Sequence, residues 1–294
     1  MATELKREIV AKIQKTSIEN MLAHGKRLDG RGLFEYRPIK IYANPIEKAE
    51  GSAMVMLGNT KVIVGVKASL AEPFRDLPNM GIFVIYAELT PIASPFFELG
   101  PPTDYSIELA RVVDRAIRSA EMIDLEKLAI IPGKKVWMLN IDVYPIDDDG
   151  NLIDATAIGV VAALLSTELP KTEIVDEEKG EIEIIKEEKT PLPIRDIPVV
   201  MTFSKIGERL ILDPISLEEN VANSRFTISL TQDNKICSIQ KGESGGFKLE
   251  DIKLAIDVST KKADKIRNEI TQQLAKNPRG EEVWKIIFGD NYLE

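Results

Sequence analysis

Three arginines, Arg111, Arg115 and Arg118, stand four and three residues apart within 105–121. Ile107, Leu109, Val112, Val113, Ala116 and Ile117 recur there at helical spacing. On a helix these intervals put all three guanidinium groups on one face. A guanidinium is planar, permanently charged and able to pair with two anionic oxygens, so such a stripe can grip successive phosphates of a single nucleic-acid strand. The competing use is local, because Glu108, Asp114 and Glu121 can neutralise the same arginines within the helix or across an interface.

Other combinations carry less chemistry. His24 is the only histidine, so neither a histidine-rich metal site nor a triad using a second histidine can be built within the chain. It is expected at a helix end. Cys237 is the only cysteine and forms no intrachain disulfide; in Lys235-Ile-Cys-Ser-Ile239 it reads as a small core hydrophobe. Asp147, Asp149 and Asn151 have the alternation that begins a calcium loop, yet Ile158 stands where the bidentate glutamate belongs, so a solvated hairpin turn is expected. Gly242-Glu-Ser-Gly-Gly246 lacks the lysine of a phosphate-cradling loop and reads as a flexible turn. Phe96-Phe97 and Glu72-Pro-Phe-Arg-Asp76 offer either a stacking surface for single-stranded RNA or side chains buried at an interface. Arg27, Asp29 and Arg31, beside a glycine turn, are expected to tie a loop to a sheet or an interface.

Composition bounds these readings. The 294 residues are 44% hydrophobic, enough for one large core or two smaller ones. No run approaches the roughly 18 apolar residues of a membrane span, and Met1-Ala-Thr-Glu-Leu-Lys-Arg-Glu has no signal-peptide character, so a cytoplasmic location without membrane association is expected. A net charge of −9 argues against binding polyanions over the whole surface; a nucleic-acid site must be local or shared.

The elements that position these residues follow from periodicity. Leu5, Ile9 and Ile13, then the capping box Thr16/Glu19 with Ile18, Met21 and Leu22, predict two short N-terminal helices within 1–30. Strands are predicted at 53–57, 61–66 and 82–86, then a proline-rich loop feeding the arginine helix. Trp137, Leu139, Ile141 and Val143 alternate on a half-buried strand that ends at Asp147-Asp-Asp-Gly150. The stretch 154–169 is apolar nearly all round, a buried helix with Asp154 as its N-cap. Residues 171–190 hold eight acids and four lysines around Lys179-Gly180, an exposed acidic hairpin. Beyond it, strands at 199–203, 209–212, 226–230 and 236–239 and a long helix from Leu249 to Leu274 repeat the first half in outline. The expected division is 1–30 helices, 31–170 first domain, 171–190 hairpin, 191–276 second domain and 277–294 tail, whose Trp284, Ile286, Ile287 and Phe288 would dock on this chain or a partner. The class is α+β (α/β), with helices packed on mixed sheets.

Arg27-Leu-Asp-Gly-Arg31, Glu35-Tyr-Arg-Pro38, Gly51-Ser52, Gly58-Asn-Thr60, the Arg111/Arg115/Arg118 helix and Arg195-Asp-Ile-Pro198 together resemble the RNase PH family over about 27–275. Within it the chain looks most like the non-catalytic RNase PH-type subunits of the archaeal exosome. The resemblance implies two βαβα-like halves with a ribosomal S5 domain 2-like core. It implies a ring of six alternating subunits with a catalytic sister, RNA-binding cap proteins, and 3′-to-5′ degradation of RNA by inorganic phosphate with release of nucleoside diphosphates. It also places the arginine helix beside RNA entering the sister's active site.

Phosphate attacking an anionic phosphodiester needs guanidinium and backbone donors to hold it and an acid for the leaving oxygen or for a metal. Active members carry a Gly-Gly-x-Arg-x-Ala loop ahead of the buried helix; here Gly150-Asn-Leu-Ile-Asp-Ala155 puts Asp154 at about the arginine position, where a carboxylate repels phosphate. Their catalytic aspartate corresponds to Glu218, Glu219 or Asn220, and Ser224 falls near the second acid. The expectation is therefore no catalytic residue, no metal ligand and no cofactor on this chain, with phosphate and magnesium at the sister's site. The alternatives are an active phosphorolytic exoribonuclease using Glu218 or Glu219, and a structural ring scaffold that touches no RNA.

Overall fold

A computed structural model of the chain describes residues 14–276. It opens on a helix, α1 (14–23). Because α1 is already under way at Gln14, Thr16 lies inside a helix and opens none; Leu5, Ile9 and Ile13 fall outside the described residues, as does the 277–294 tail. Ile18 and Leu22, one turn apart, are buried against Ile206, Ile211 and Val221. His24 follows the helix directly, its Nδ1 2.8 Å from the Asn20 carbonyl.

The first half is built on a six-stranded sheet: β1 (Ile39–Ala43), β2 (Gly51–Leu57), β3 (Thr60–Ala71), β4 (Ile82–Ala87), β5 (Ala129–Ile131) and β6 (Lys135–Asp147). Its order is β1-β2-β3-β6-β4, with β5 paired to β6. All neighbours are antiparallel except β4 and β6, which run parallel. That pair needs a crossover, and helix α2 (Asp104–Ser119) supplies it, capped by Thr103, whose hydroxyl accepts from Ser106 N.

Helix α3 (Leu152–Leu165) is buried almost throughout. It lies against β2 and β3 on one side and β9 (Val199–Ile206) on the other, so an apolar surface all round is what its position demands. Gly159 packs so closely on β3 that an added Cβ would meet Val64 Cγ2 at 2.8 Å. The helix ends four residues before the predicted limit: the chain turns at Ser166 and enters β7 (Glu168–Asp176), which pairs only with β8 (Glu181–Pro191) as a separate hairpin.

The second half is a four-stranded antiparallel sheet, ordered β10 (Arg209–Leu212), β9, β11 (Ser224–Leu230), β12 (Ile236–Gly242). A short helix α4 (Ser216–Val221), which the sequence reading did not anticipate, joins β10 to β11. Helix α5 (Leu249–Lys276) packs on β1, β9 and β11 and so spans both halves. One apolar core runs from Ile39 on β1 through α3 to Ile270 on α5.

Candidate functional site

Between α3 and α4 the structure shows a buried polar knot. Two backbone features create it. Asn151 and Asp213 adopt left-handed φ angles of 55° and 54°, a conformation that short polar side chains tolerate. Asn151, not Asp154, is the N-cap of α3, its side-chain oxygen receiving Asp154 N. Asp154 is thereby moved into the first turn, where its carboxylate faces inward and is entirely buried.

Asp213 is the hub. Its carboxylate accepts from Arg37 Nε at 2.9 Å and Nη2 at 2.8 Å, from Arg31 Nη1 at 2.8 Å and from Asn151 Nδ2 at 2.7 Å. Its carbonyl accepts from Arg27 and Arg31. Arg27, with no exposed side-chain surface, forks onto the equally buried Glu218 and donates to the Leu212 carbonyl at 2.8 Å. Asp154 accepts from Tyr36 Oη at 2.7 Å, Asn151 Nδ2 at 2.9 Å, Thr202 N at 3.0 Å and Thr202 Oγ1 at 2.7 Å. Arg27 thus pairs with Glu218, and Arg31 and Arg37 share Asp213, whereas Asp154 is met by neutral donors alone; buried charges are tolerated when they are paired and hydrogen-bonded in this way.

The electrostatics follow. Burial pushes the Asp154 carboxyl up to about 6, against the pull of its Tyr36, Asn151 and Thr202 donors, and the nearby Asp213 charge adds to the rise. Glu219, half-buried, is pushed by burial up to about 7 although it accepts Asn151 N at 2.9 Å.

Of the three positions that could carry the catalytic acid, Glu218 is consumed by Arg27, Glu219 faces the N-terminus of α3, and Asn220 is half-buried on α4. Ser224, at the start of β11, is buried. The Asp147–Gly150 segment is not a solvated hairpin turn. It is a strand-to-helix turn clamped on the second half: Ser216 N donates to the Asp149 carbonyl, and a Cβ on Gly150 would overlap Ser216 and Ile215. Arg27 and Arg31, with Asp29 bonded to Arg31 at 2.6 Å, anchor the loop before β1. Gly242 ends β12 and Gly245 N donates to the Asn223 carbonyl, so that segment is anchored. Among the described residues no group of three or more His, Cys, Asp or Glu side chains is placed to hold a metal ion, and no helix is long and apolar enough to cross a membrane. Cys237 is half-buried and burial raises its thiol to about 11, so it stays protonated.

The arginine stripe lies on α2 as the spacing predicts, but its members differ. Arg111 is exposed and makes no side-chain hydrogen bond or ion pair among the described residues. Arg115, also exposed, reaches Gln240 Oε1 on β12 at 2.5 Å. Arg118 is held by its own fold: it pairs with Asp114 at 2.8 Å, donates to the Phe83 carbonyl and stacks 4.0 Å from the Phe83 ring centroid. Glu108 does not serve the stripe; it pairs with Arg225. Glu121 lies 3.8 Å from Arg195. Phe74 and Phe96 are exposed while Phe97 packs on the core.

Residues that spacing alone did not single out, Tyr36, Arg37, Thr202 and Asp213, complete the knot. Their partners within the knot lie 48 to 186 positions away in the chain, so the residue types carried the signal but not the pairing.

An architecture of two sheets sandwiching one all-round apolar helix, with a polar centre at that helix's N-terminus, defines a class. The chain belongs to the 3′ exoribonuclease (RNase PH) family, matching its domain 1 over 35–170 and its domain 2 over 196–262. More particularly, it is 50% identical to the exosome complex component Rrp42 of Pyrococcus furiosus over 94% of this chain and 99% of that one. It is 45% identical to the Rrp42 of Methanopyrus kandleri over 91% and 99%. A solved chain from the Archaeoglobus fulgidus exosome with RNA bound to the active site superimposes with a TM-score of 0.80 at 41% identity, covering 89% of this chain and 99% of that one. An archaeal exosome core chain gives 0.77 at 38% identity, covering 90% and 98%.

Proposed function

We propose that the chain is the non-catalytic subunit of an archaeal-type exosome, a phosphorolytic ring that degrades RNA from 3′ to 5′. In this reading it alternates with a catalytic RNase PH-type sister in a hexamer of three heterodimers, beneath RNA-binding cap proteins. It structures the sister's active site and presents Arg111 and Arg115 to the single strand. One observation supports the loss of chemistry: Asp154, which the resemblance puts at about the position of the phosphate-holding arginine, is a buried carboxylate whose oxygens are occupied by Tyr36, Asn151 and Thr202. Phosphate would meet a like charge there, with Arg27, Arg31 and Arg37 already committed to internal carboxylates. Phosphate and magnesium therefore belong to the sister's site.

The test is release of nucleoside diphosphates from labelled single-stranded RNA with phosphate and magnesium. The chain alone should be silent, and adding it to the sister should raise activity above the sister's own rate. Glu219 favours a second reading, since an acid near 7 suits general acid catalysis; diphosphate release by the purified chain alone would establish that reading and overturn ours.

The scaffold alternative rests on Arg115 and Arg118 being bonded within the chain. It is separated by Arg111→Glu with Arg115→Glu. We expect KM for RNA in the assembled complex to rise about tenfold or more with kcat little changed, the signature of lost uniform binding. An unchanged KM would favour the scaffold.

A further inference from the structure

A helix tends to quench its own surface charges, because residues three and four apart meet and a carboxylate at either distance can pair with an arginine. Arg111 has four such neighbours on α2: Ile107, Glu108, Asp114 and Arg115. Two of them are acids, yet neither is bonded to it. Glu108 pairs with Arg225 and Asp114 with Arg118. Arg111 is left exposed and without an ion pair among the described residues, and Arg115, one turn on, is a like charge whose repulsion an added anion would relieve.

The second half places Arg225 for this task. Arg225 stands on β11 opposite Gly242 of β12, and its guanidinium lies across that glycine, where an added Cβ would meet Nη2 at 2.6 Å. It is only 8% exposed, and among the described residues Glu108 alone accepts a hydrogen bond from its side chain, Nε being buried with no partner. Burial disfavours the charge of Arg225, but the bond and the charge of Glu108 outweigh it and raise the guanidinium above its ordinary pKa. Stranding a buried guanidinium costs far more than an exposed pair three residues apart contributes, so Glu108 stays with Arg225 and does not turn to Arg111.

Arg118 acts in the same way on the other side. It forks onto Asp114 through Nε at 3.2 Å and Nη2 at 2.8 Å, and the Phe83 ring and carbonyl fix its guanidinium in place. Arg115, in contrast, is steadied without being neutralised. Its partner Gln240 offers an amide oxygen, and the Gln240 amide nitrogen reaches the Lys241 carbonyl at 3.4 Å, which fixes the end that faces the arginine.

We infer that Arg225 and Arg118 are positioning residues for RNA: they draw Glu108 and Asp114 away from Arg111, so that its charge and that of Arg115 are left for phosphates of the strand. The inference rests on the function proposed above and deepens it, since Arg118 serves the RNA without touching it.

The experiment uses the complex assembled from this chain and its catalytic sister, and reads KM and kcat for single-stranded RNA with phosphate and magnesium. Arg225→Met releases Glu108 and Arg118→Gln releases Asp114; each should raise KM at least threefold with kcat within twofold of the parent. Rescue is the readout that a bracing role would not give. Adding Glu108→Gln to Arg225→Met, or Asp114→Asn to Arg118→Gln, should return KM to within twofold of the parent although the ion pair is still missing. An arginine that only braces the fold, or one that itself touches RNA, would leave the double variant as impaired as the single. For either arginine, an unchanged KM in the single variant or an unrescued double variant overturns its role. The Arg118 side chain is half exposed, so its pair of variants tests the release of an acid onto Arg111 even where Arg225→Met fails to fold. Arg111→Glu separates this inference from the function beneath it. If Arg111→Glu raises KM while the two single variants leave it unchanged, the positioning role alone falls. If Arg111→Glu leaves KM unchanged, RNA contact by the stripe falls and the positioning role falls with it.

Discussion

Removing the Arg27 guanidinium strands the Glu218 carboxylate in a fully buried site with no other cation bonded to it among the described residues. We expect Arg27→Ala to cost about 3–5 kcal/mol in urea unfolding. Arg27→Met with Glu218→Leu should recover most of that loss, because neither charge is then left unpaired. Glu219 makes a different prediction. Its carboxyl rises from an ordinary 4.5 to about 7 in the fold, so the folded state holds a proton that the unfolded state has released between those values. Stability from this group is present below about pH 4.5 and lost as pH rises to 7, a change of roughly 3 kcal/mol at most and less with partial solvent screening. Glu219→Gln should flatten the decline in melting temperature between pH 5 and 8; an identical slope would contradict the assignment. These interactions were partly legible beforehand. The arginines and the Gly-Arg turn point to a structural cluster, but the sequence pattern favours Asp154 as the cap because the left-handed Asn151 that does the capping carries no periodic signal.

Elements with long periodic stretches were readable and those lacking them were not. The alternation of Trp137, Leu139, Ile141 and Val143 identifies β6, and the Arg111 helix runs where its apolar spacing indicates. α4 is six residues long and is preceded by an isoleucine, Ile215, whose N–H is met by Glu218, too little pattern for a helix to show. The end of α3 was placed late because Ser166 and Thr167 turn the chain by bonding back to the Ala162 and Ala163 carbonyls. This turn is held tightly from β2: a Cβ on Gly51 would lie 2.6 Å from Thr167 Cα and 2.7 Å from the Ala163 carbonyl. Because the clash involves backbone as well as the Thr167 side chain, Gly51→Ala should destabilise by about 3 kcal/mol, the upper end of ordinary overpacking, in thermal unfolding. A cost below about 1 kcal/mol would mean that β2 can slide on α3.

At the scale of the whole molecule, the knot draws groups from both halves, with Arg27, Arg37 and Asp154 from the first meeting Thr202, Asp213 and Glu218 from the second. Together with α3 and α5, which touch both sheets, it predicts that the halves unfold together. Calorimetric and van't Hoff enthalpies should agree, and a second transition would show that the halves are independent. The carboxylate of Asp154 has a further meaning for how such a protein can change over time. Replacing it with arginine would bury a cation beside Arg37, leave Tyr36 and Thr202 without their acceptor, and still find Glu218 committed to Arg27. A single substitution there leaves other members of the knot unsatisfied, because each depends on the others. Under the function proposed above, inactivity behaves as a ratchet: the interactions that keep the chain folded are the ones a phosphate-holding arginine would have to break.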